Sequence, residues 1–495
     1  MAEEAKVVAA DEEKKLPAST VAEDGHGGPE NHVLLVSFSA QGHINPMLLL
    51  GKRLASKGIR ITLATTEIAC QRMLKSLSNE ESGESIAGIG LLFFSDGLSL
   101  DYDRKANLDL FMESLGKYGP INLSNLIKDH YRDDSKRLLC IVTNPFVPWA
   151  ADVAAEHGIP CALHWIQPCM LYAVYYRFFN KLNEFPTLDD LERIIDLPGL
   201  PSMSLKDLPT FILPTSPFGT FPKLFSDLFQ NLQKFKWVLG NSFDHLEKDI
   251  MDSMNDLCPI KPIGPLVPPS LLGQDKELDG TVDMWKSDDS CIEWLDQQIP
   301  TSVIYVSFGS IVTLPAAQMG AIAHALTETK RPFLWVVKPP EFPTPDGAGQ
   351  LPTSFLEETK DQGKVVAWSP QTRVLSHPSV GCFLTHCGWN STLEAICSGI
   401  PLIAYPQWTD QPTNAKLIVD VFKNGVRING KDPTAEEVKR CIEEVMEGPR
   451  AEELRKNAEG LKRAALEAVG EGGSSDGNIE SLVKEMMVPD HELVK

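Results

Sequence analysis

Apolar runs of strand length alternate with amphipathic stretches along most of this chain. HVLLVSF (32–38) is a near-continuous apolar run and SAQGHINP (39–46) a polar loop; MLLLGKRLASKG then carries a helical apolar period ending at Gly58. IRITLATTE (59–67) reads as the next strand. The rhythm continues through IGLLFFSDGL, a long amphipathic stretch over 105–131, LLCIVTNPF, PWAADVAAEHG and PCALHW. Prolines and short turns fill 186–217, a surface excursion over a pocket, before WVLGNSFDHLE (237–247) gives another strand and helix start. PIKPIGPLVPPSLLG (259–273) is too proline-rich to sit inside a sheet and reads as a linker. SVIYVSFGS (302–310) restarts the pattern, and charged amphipathic helices close it over 434–487. Strands alternating with helices predict the α/β class with doubly wound parallel sheets.

The expected organisation follows. Residues 1–30 form a disordered acidic tail without apolar period, 31–260 a first domain, 261–290 a linker and 291–470 a second domain, while 471–495 hold a C-terminal helix packing back on the first. Two successive halves of this kind place a ligand between their strand ends.

Composition narrows the partners. A formal charge of −21 argues against nucleic acid or an anionic membrane, since both reward a basic surface. No signal peptide is visible in MAEEAKVVAADEEKK, and no apolar run is long enough to span a bilayer. The 10 scattered cysteines suggest reduced thiols, hence a cytoplasmic protein, and a monomer is expected. Cys382 and Cys387 flank His386 without a further ligand pair, and Asp101 and Asp103 form an Asp-x-Asp in a solvated loop. Neither carries a metal expectation.

The densest chemistry lies in 368–411. VGCFLTH (380–386) and GIPLIAYP (399–406) read as buried parallel strands, and NSTLEAICS (390–398) as a helix opening at the polar loop between them. A strand end feeding a helix N-terminus is a ready anion site, because unpaired N–H groups and the helix dipole face one point. Tryptophans at 368, 389 and 408 suggest a flat ring to stack as well as a phosphate to hold. The blander possibility is that Ser391 and Glu394 form a capping box, which needs no ligand.

This stretch resembles, nearly position by position, the signature box of the plant family-1 UDP-glycosyltransferases. It begins with Trp368, ends with Gln411, and keeps HCGWNS (386–391) and P-x-x-x-DQ (406–411). The resemblance implies the GT-B fold, two facing Rossmann-like domains, with the acceptor on the first and the UDP-sugar on the second. It implies that Trp368 stacks on uracil, Gln371 positions uracil and ribose, and Glu394 accepts from both ribose hydroxyls. His386, Asn390 and Ser391 would hold the diphosphate, with Ser310 adding a contact. Trp389, Asp410 and Gln411 would face the sugar, and the terminal glutamine favours UDP-glucose as co-substrate, with no cofactor and no metal.

A second centre is His43, in the loop after the first strand, where imidazole suits proton abstraction near neutrality. The family uses this histidine as general base, which implies an inverting reaction giving a β-glucoside. Its orienter is usually aspartate, but this chain has Asn144, which cannot stabilise imidazolium by charge. That weakness matters little for an acceptor already ionised, and Asn144 with NPFVPWAADVA resembles the glucose-ester-forming subgroup. The expected activity is glucose transfer to a small aromatic or lipophilic acceptor, as an ester of a carboxylic acid. The alternatives are phenolic hydroxyls (or a carbon) of flavonoid-type acceptors and, last, a non-catalytic nucleotide-sugar-binding protein. HWIQPCMLYAVYYRFF (164–179) is expected either to line the acceptor pocket or to form a core helix.

Overall fold

A computed structural model describes residues 29–76, 85–104, 107–132, 135–274, 279, 281–282, 285, 287–338 and 347–488. All but the end of the expected tail (1–30) and the last residues of 471–495 lie outside them.

The apolar runs read as strands form strands, most of them buried. The first sheet contains β1 (Glu30–Val36), β2 (Arg60–Thr66), β3 (Ser85–Ile86), β4 (Ile89–Phe94), β5 (Lys136–Thr143), β6 (Cys161–Trp165), β7 (Trp237–Gly240) and β8 (Lys261–Pro262). Its order is β3-β4-β2-β1-β5-β6-β7-β8, parallel throughout except for the short β3–β4 pair. The second contains β9 (Val303–Ser307), β10 (Phe333–Val336), β11 (Gly363–Val366), β12 (Val380–Thr385), β13 (Leu402–Ala404) and β14 (Gly425–Arg427), in the order β11-β10-β9-β12-β13-β14 and wholly parallel. Helices cover both faces of parallel sheets because crossovers must pass over them.

Chain order reverses direction between β1 and β5 in the first sheet, and between β9 and β12 in the second. Such switch points open a crevice at the strand C-terminal ends. One hydrophobic core runs through both halves, joining Leu34, Ile141 and Leu163 of the first sheet to Tyr305 and Phe383 of the second. The turns Leu205–Asp207 and Thr210–Ile212, in the proline-rich excursion, dock on the second half. Arg427 pairs with the buried Asp207 at 2.8 Å, and Thr210 N–H donates to Thr409 C=O at 2.9 Å.

Three local outcomes differ from expectation. Pro262 does lie in a sheet, but in the edge strand β8, where a missing N–H breaks no ladder. His43 is not in a loop but in the first turn of helix Gln41–Ala55, which tolerates Pro46 inside it. The three-residue β14 has too short an apolar run to stand out by periodicity. Helix Ser474–Met487 packs against the first sheet, burying Ile479, Leu482 and Met486 beside Val33 and Leu35, with Glu485 accepting from Trp237 and Lys261.

Candidate active site in the cleft

The donor-side crevice begins at the C-terminal ends of β9 and β12. Gly309, at φ 71°, and Gly388 pack against the His386 ring; a Cβ on either would come within 2.8 Å of it. No side chain larger than hydrogen fits at these two positions while His386 stays in place. Loss of solvation on burial lowers the His386 pKa to about 4, so the ring is neutral at physiological pH. Ser310 follows Gly309, its carbonyl accepting from Lys338.

Helix Trp389–Ser398 starts at Gly388 with no side-chain cap and ends on Gly399, whose φ of 73° closes it in the left-handed region. Ser391 is therefore inside the helix rather than at its cap, and the capping-box reading fails. Its hydroxyl accepts instead from Gln371 Nε2 at 2.9 Å. The same Nε2 donates to Glu394 Oε2 at 2.7 Å, while Gln371 Oε1 accepts from the buried Tyr305 hydroxyl at 3.0 Å. Gln371, Ser391 and Glu394 are thus brought together beside an uncapped helix N-terminus, which favours an anion. Trp368 stands at the edge of this group, its ring 4.9 Å from that of Trp285.

Across the cleft, His43 sits at the switch point of the first sheet. Phe146 meets its ring edge-to-face at 4.5 Å and Phe38 at 5.0 Å. Burial is the main influence on His43 and lowers its pKa to about 4; Asn144 acts in the opposite, weaker sense. No well-formed hydrogen bond accompanies that influence, because the buried Nδ1 lacks a partner among the described residues. The amide of Asn144 is fixed by two other groups. Its Oδ1 accepts from Phe146 N–H at 3.1 Å, a turn typical of asparagine, and its Nδ2 donates to Ser37 Oγ at 3.2 Å. Ser37 can only accept there, since its own hydrogen goes to Phe38 C=O at 3.0 Å.

Residues from both halves meet at the floor. Asn390 Nδ2 donates to Gly42 C=O at 2.9 Å. Asp410 is buried, which pushes its pKa up, while Thr409 and Asn414 donate to it and act the other way. Gln411 Oε1 accepts the N–H groups of Gln407 and Trp408 at 2.9 and 3.1 Å, shaping the turn before helix Gln411–Lys416. Among the described residues, no group of three His, Cys, Asp or Glu side chains is placed to hold a metal ion.

Known proteins share this arrangement. The profile of the UDP-glucoronosyl and UDP-glucosyl transferase family matches residues 286–461. UDP-glycosyltransferase 84B1 of Arabidopsis thaliana is 45% identical over 471 residues, 93% of this chain and 99% of that protein. The chain belongs to the plant UDP-glycosyltransferases. Gallate 1-beta-glucosyltransferase 84A24 of Punica granatum is 43% identical over 465 residues, covering 92% of this chain and 88% of that protein. Among solved structures, Os79 from O. sativa in complex with UDP matches with a TM-score of 0.80 at 33% identity, over 92% of this chain and 100% of that one. The fold is GT-B and the protein is an enzyme, a UDP-glucosyltransferase.

Within this UDP-glycosyltransferase, one expected site side chain is buried between the halves. The Trp389 indole is only 3% exposed and its N–H is spent on Asn241 C=O at 2.8 Å, so its ring knits the two halves together. What Trp389 leaves at the crevice is its backbone N–H in the first helical turn. Helix Cys169–Phe179 packs in the core, with Tyr172 and Tyr175 fully buried. Sequence reasoning missed Tyr305, although a tyrosine inside an aliphatic strand must find its hydroxyl a partner. It also missed Phe38, Phe146, Gln167 and Trp285, for which no motif speaks.

Proposed function

We propose that this enzyme transfers glucose from UDP-glucose to the carboxylate of a small aromatic acid, with inversion and without a metal, giving a β-glucose ester. The observation that carries the reading is the His43–Asn144 pair. A buried imidazole with a pKa of about 4, next to a neutral amide, is a weak base. A carboxylic acid with a pKa near 4 needs no base at neutral pH. Its oxygen attacks the anomeric carbon, the bond from that carbon to UDP breaks, and the diphosphate oxygen leaves with the electron pair.

Trp368 and Gln371 would take the uracil end of the donor and Glu394 the ribose hydroxyls. His386, Asn390, Ser391 and Ser310 would meet the diphosphate. Negative charge developing on the leaving group faces the uncapped start of helix Trp389–Ser398, where backbone N–H groups stabilise it without reorganising. Asp410 and Gln411 stand where the sugar would lie. The aromatic rings around His43 suit a flat acceptor, and the Punica granatum relative is named for an acid, gallate.

The test is a panel of aromatic acids and flavonols with UDP-glucose, followed by mild alkali. Products that hydrolyse are esters and support the reading. Alkali-stable products from phenols alone would move the assignment to phenolic hydroxyls.

A further inference from the structure

Helix Gln41–Ala55 carries Pro46 at its sixth position. In a regular helix the N–H of residue 46 closes on the carbonyl of residue 42, and proline has no N–H to give. The freed Gly42 carbonyl does not go unpaired. Asn390 Nδ2, on the helix that opens at the donor crevice, donates to it at 2.9 Å across the cleft.

We propose that this bond sets the register of the helix carrying His43 against the helix facing the donor, with Pro46 and Asn390 as positioning residues. The proline creates the acceptor, and the asparagine reads it. An amide nitrogen carries two hydrogens, so Asn390 keeps a second N–H for a diphosphate oxygen while holding Gly42. One atom then ties the acceptor-side histidine to the leaving group. This second step rests on the donor placement given under Proposed function. The bond is not what holds the halves together: Trp389 on Asn241, Thr210 on Thr409 and Arg427 on Asp207 do that independently. Nor does it depend on Gly42 lacking a side chain, since a Cβ there would stand 3.7 Å from Asn390 Nδ2, an ordinary contact.

Pro46→Ala separates this role from a structural one, because it returns a helical N–H to Gly42 and removes a helix interruption. The expected result is a Tm equal to or above wild type and a UDP Kd within about twofold. With these, kcat falls about threefold to tenfold, the worth of one neutral hydrogen bond. In an Asn390→Ala background, Pro46→Ala should change kcat no further, since the helical N–H at residue 46 acts by drawing the Gly42 carbonyl into the helix and weakening the one bond that Asn390→Ala removes. A wild-type kcat in Pro46→Ala, or losses that multiply in the double variant, would overturn the proposal. Hydrogen exchange over residues 41–45 tests the bond without turnover: in ligand-free Asn390→Ala it should quicken, and unchanged exchange counts against the bond. Wild-type protein that released no UDP from UDP-glucose would sink the donor placement, leaving the exchange result to judge the bond.

Discussion

On the donor side of the cleft, Tyr305, Gln371, Ser391 and Glu394 form a chain of hydrogen bonds at 2.7–3.0 Å, with Trp368 Nε1 at its edge the one nearby buried donor without a partner among the described residues. On the acceptor side, His43 Nδ1, Gln167 Oε1 and the Tyr175 hydroxyl are buried with no partner among the described residues, within a shell of aromatic rings. A closed network holds its groups in one geometry before any ligand arrives, which suits a co-substrate of fixed shape. Unpaired polar atoms in an apolar wall suit a site whose ligand completes them, and buried orphans of this kind ask for an explanation. The enzyme is prebuilt where it takes its sugar and open where it chooses what to glucosylate.

The sharpest way to break that contrast is to open the donor network. Glu394→Ala removes the carboxylate that would accept two ribose hydroxyls and frees one hydrogen of Gln371 Nε2. Hydrogen bonds to a charged group are worth about 1.5–3 kcal/mol each. The kcat/KM for UDP-glucose should therefore fall by about 10²- to 10⁴-fold, with the KM of the acceptor little changed. Steady-state kinetics with each substrate varied in turn would show it, and an equal loss on both substrates would mean the two sides are not separately built.

The same contrast explains what could be read from the chain. Most of the donor side lies in the contiguous stretch 368–411, where a strand, a helix start and a second strand are all visible in the hydrophobic pattern. The order of both sheets also follows from alternating βα units, whose crossovers allow few topologies. The acceptor side is assembled from positions far apart in the chain, such as Phe38, Phe146 and Phe221. Aromatic residues at such spacing look like ordinary core until the fold brings them around one histidine. His43 was legible because a histidine after a first strand carries chemistry on its own, and Asn144 only through the resemblance to a family that usually has aspartate there. The burial of the Trp389 ring was not, since a tryptophan in a polar loop gives no hint of which way it turns.

A smaller perturbation addresses the open side. In Asn144→Asp the Phe146 N–H already points at one carboxylate oxygen, and the Ser37 hydroxyl can turn from Phe38 to the other. The new charge favours imidazolium, so the His43 pKa should rise from its lowered value of about 4, by about one to two units. Activity that requires the neutral imidazole is lost as pH falls through that pKa. The acid limb of kcat/KM for a phenolic acceptor should accordingly move up by the same amount, and phenol turnover at pH 7 should increase. An ionised acid acceptor should gain nothing at pH 7. A pH profile for each acceptor class reads this directly, and identical shifts for both would end the argument that His43 is a poor base.

The mildest change asks whether an orphan group on the acceptor side is a defect or a reserve. The Tyr175 ring stacks on Phe225 at 4.9 Å, while its hydroxyl, buried and without partner among the described residues, lies in the field of the Asp410 carboxylate. An unpaired buried hydroxyl costs about 1–3 kcal/mol, so Tyr175→Phe should leave stability unchanged or raise it by about 1 kcal/mol, read from urea unfolding. If that hydroxyl completes its bonding on the sugar or the acceptor, the same variant loses about threefold to tenfold in kcat/KM despite being no less stable. Stability gained with activity kept would mean that Tyr175 is packing alone. Stability gained with activity lost would show that the acceptor side stores unmet hydrogen bonds for its ligand.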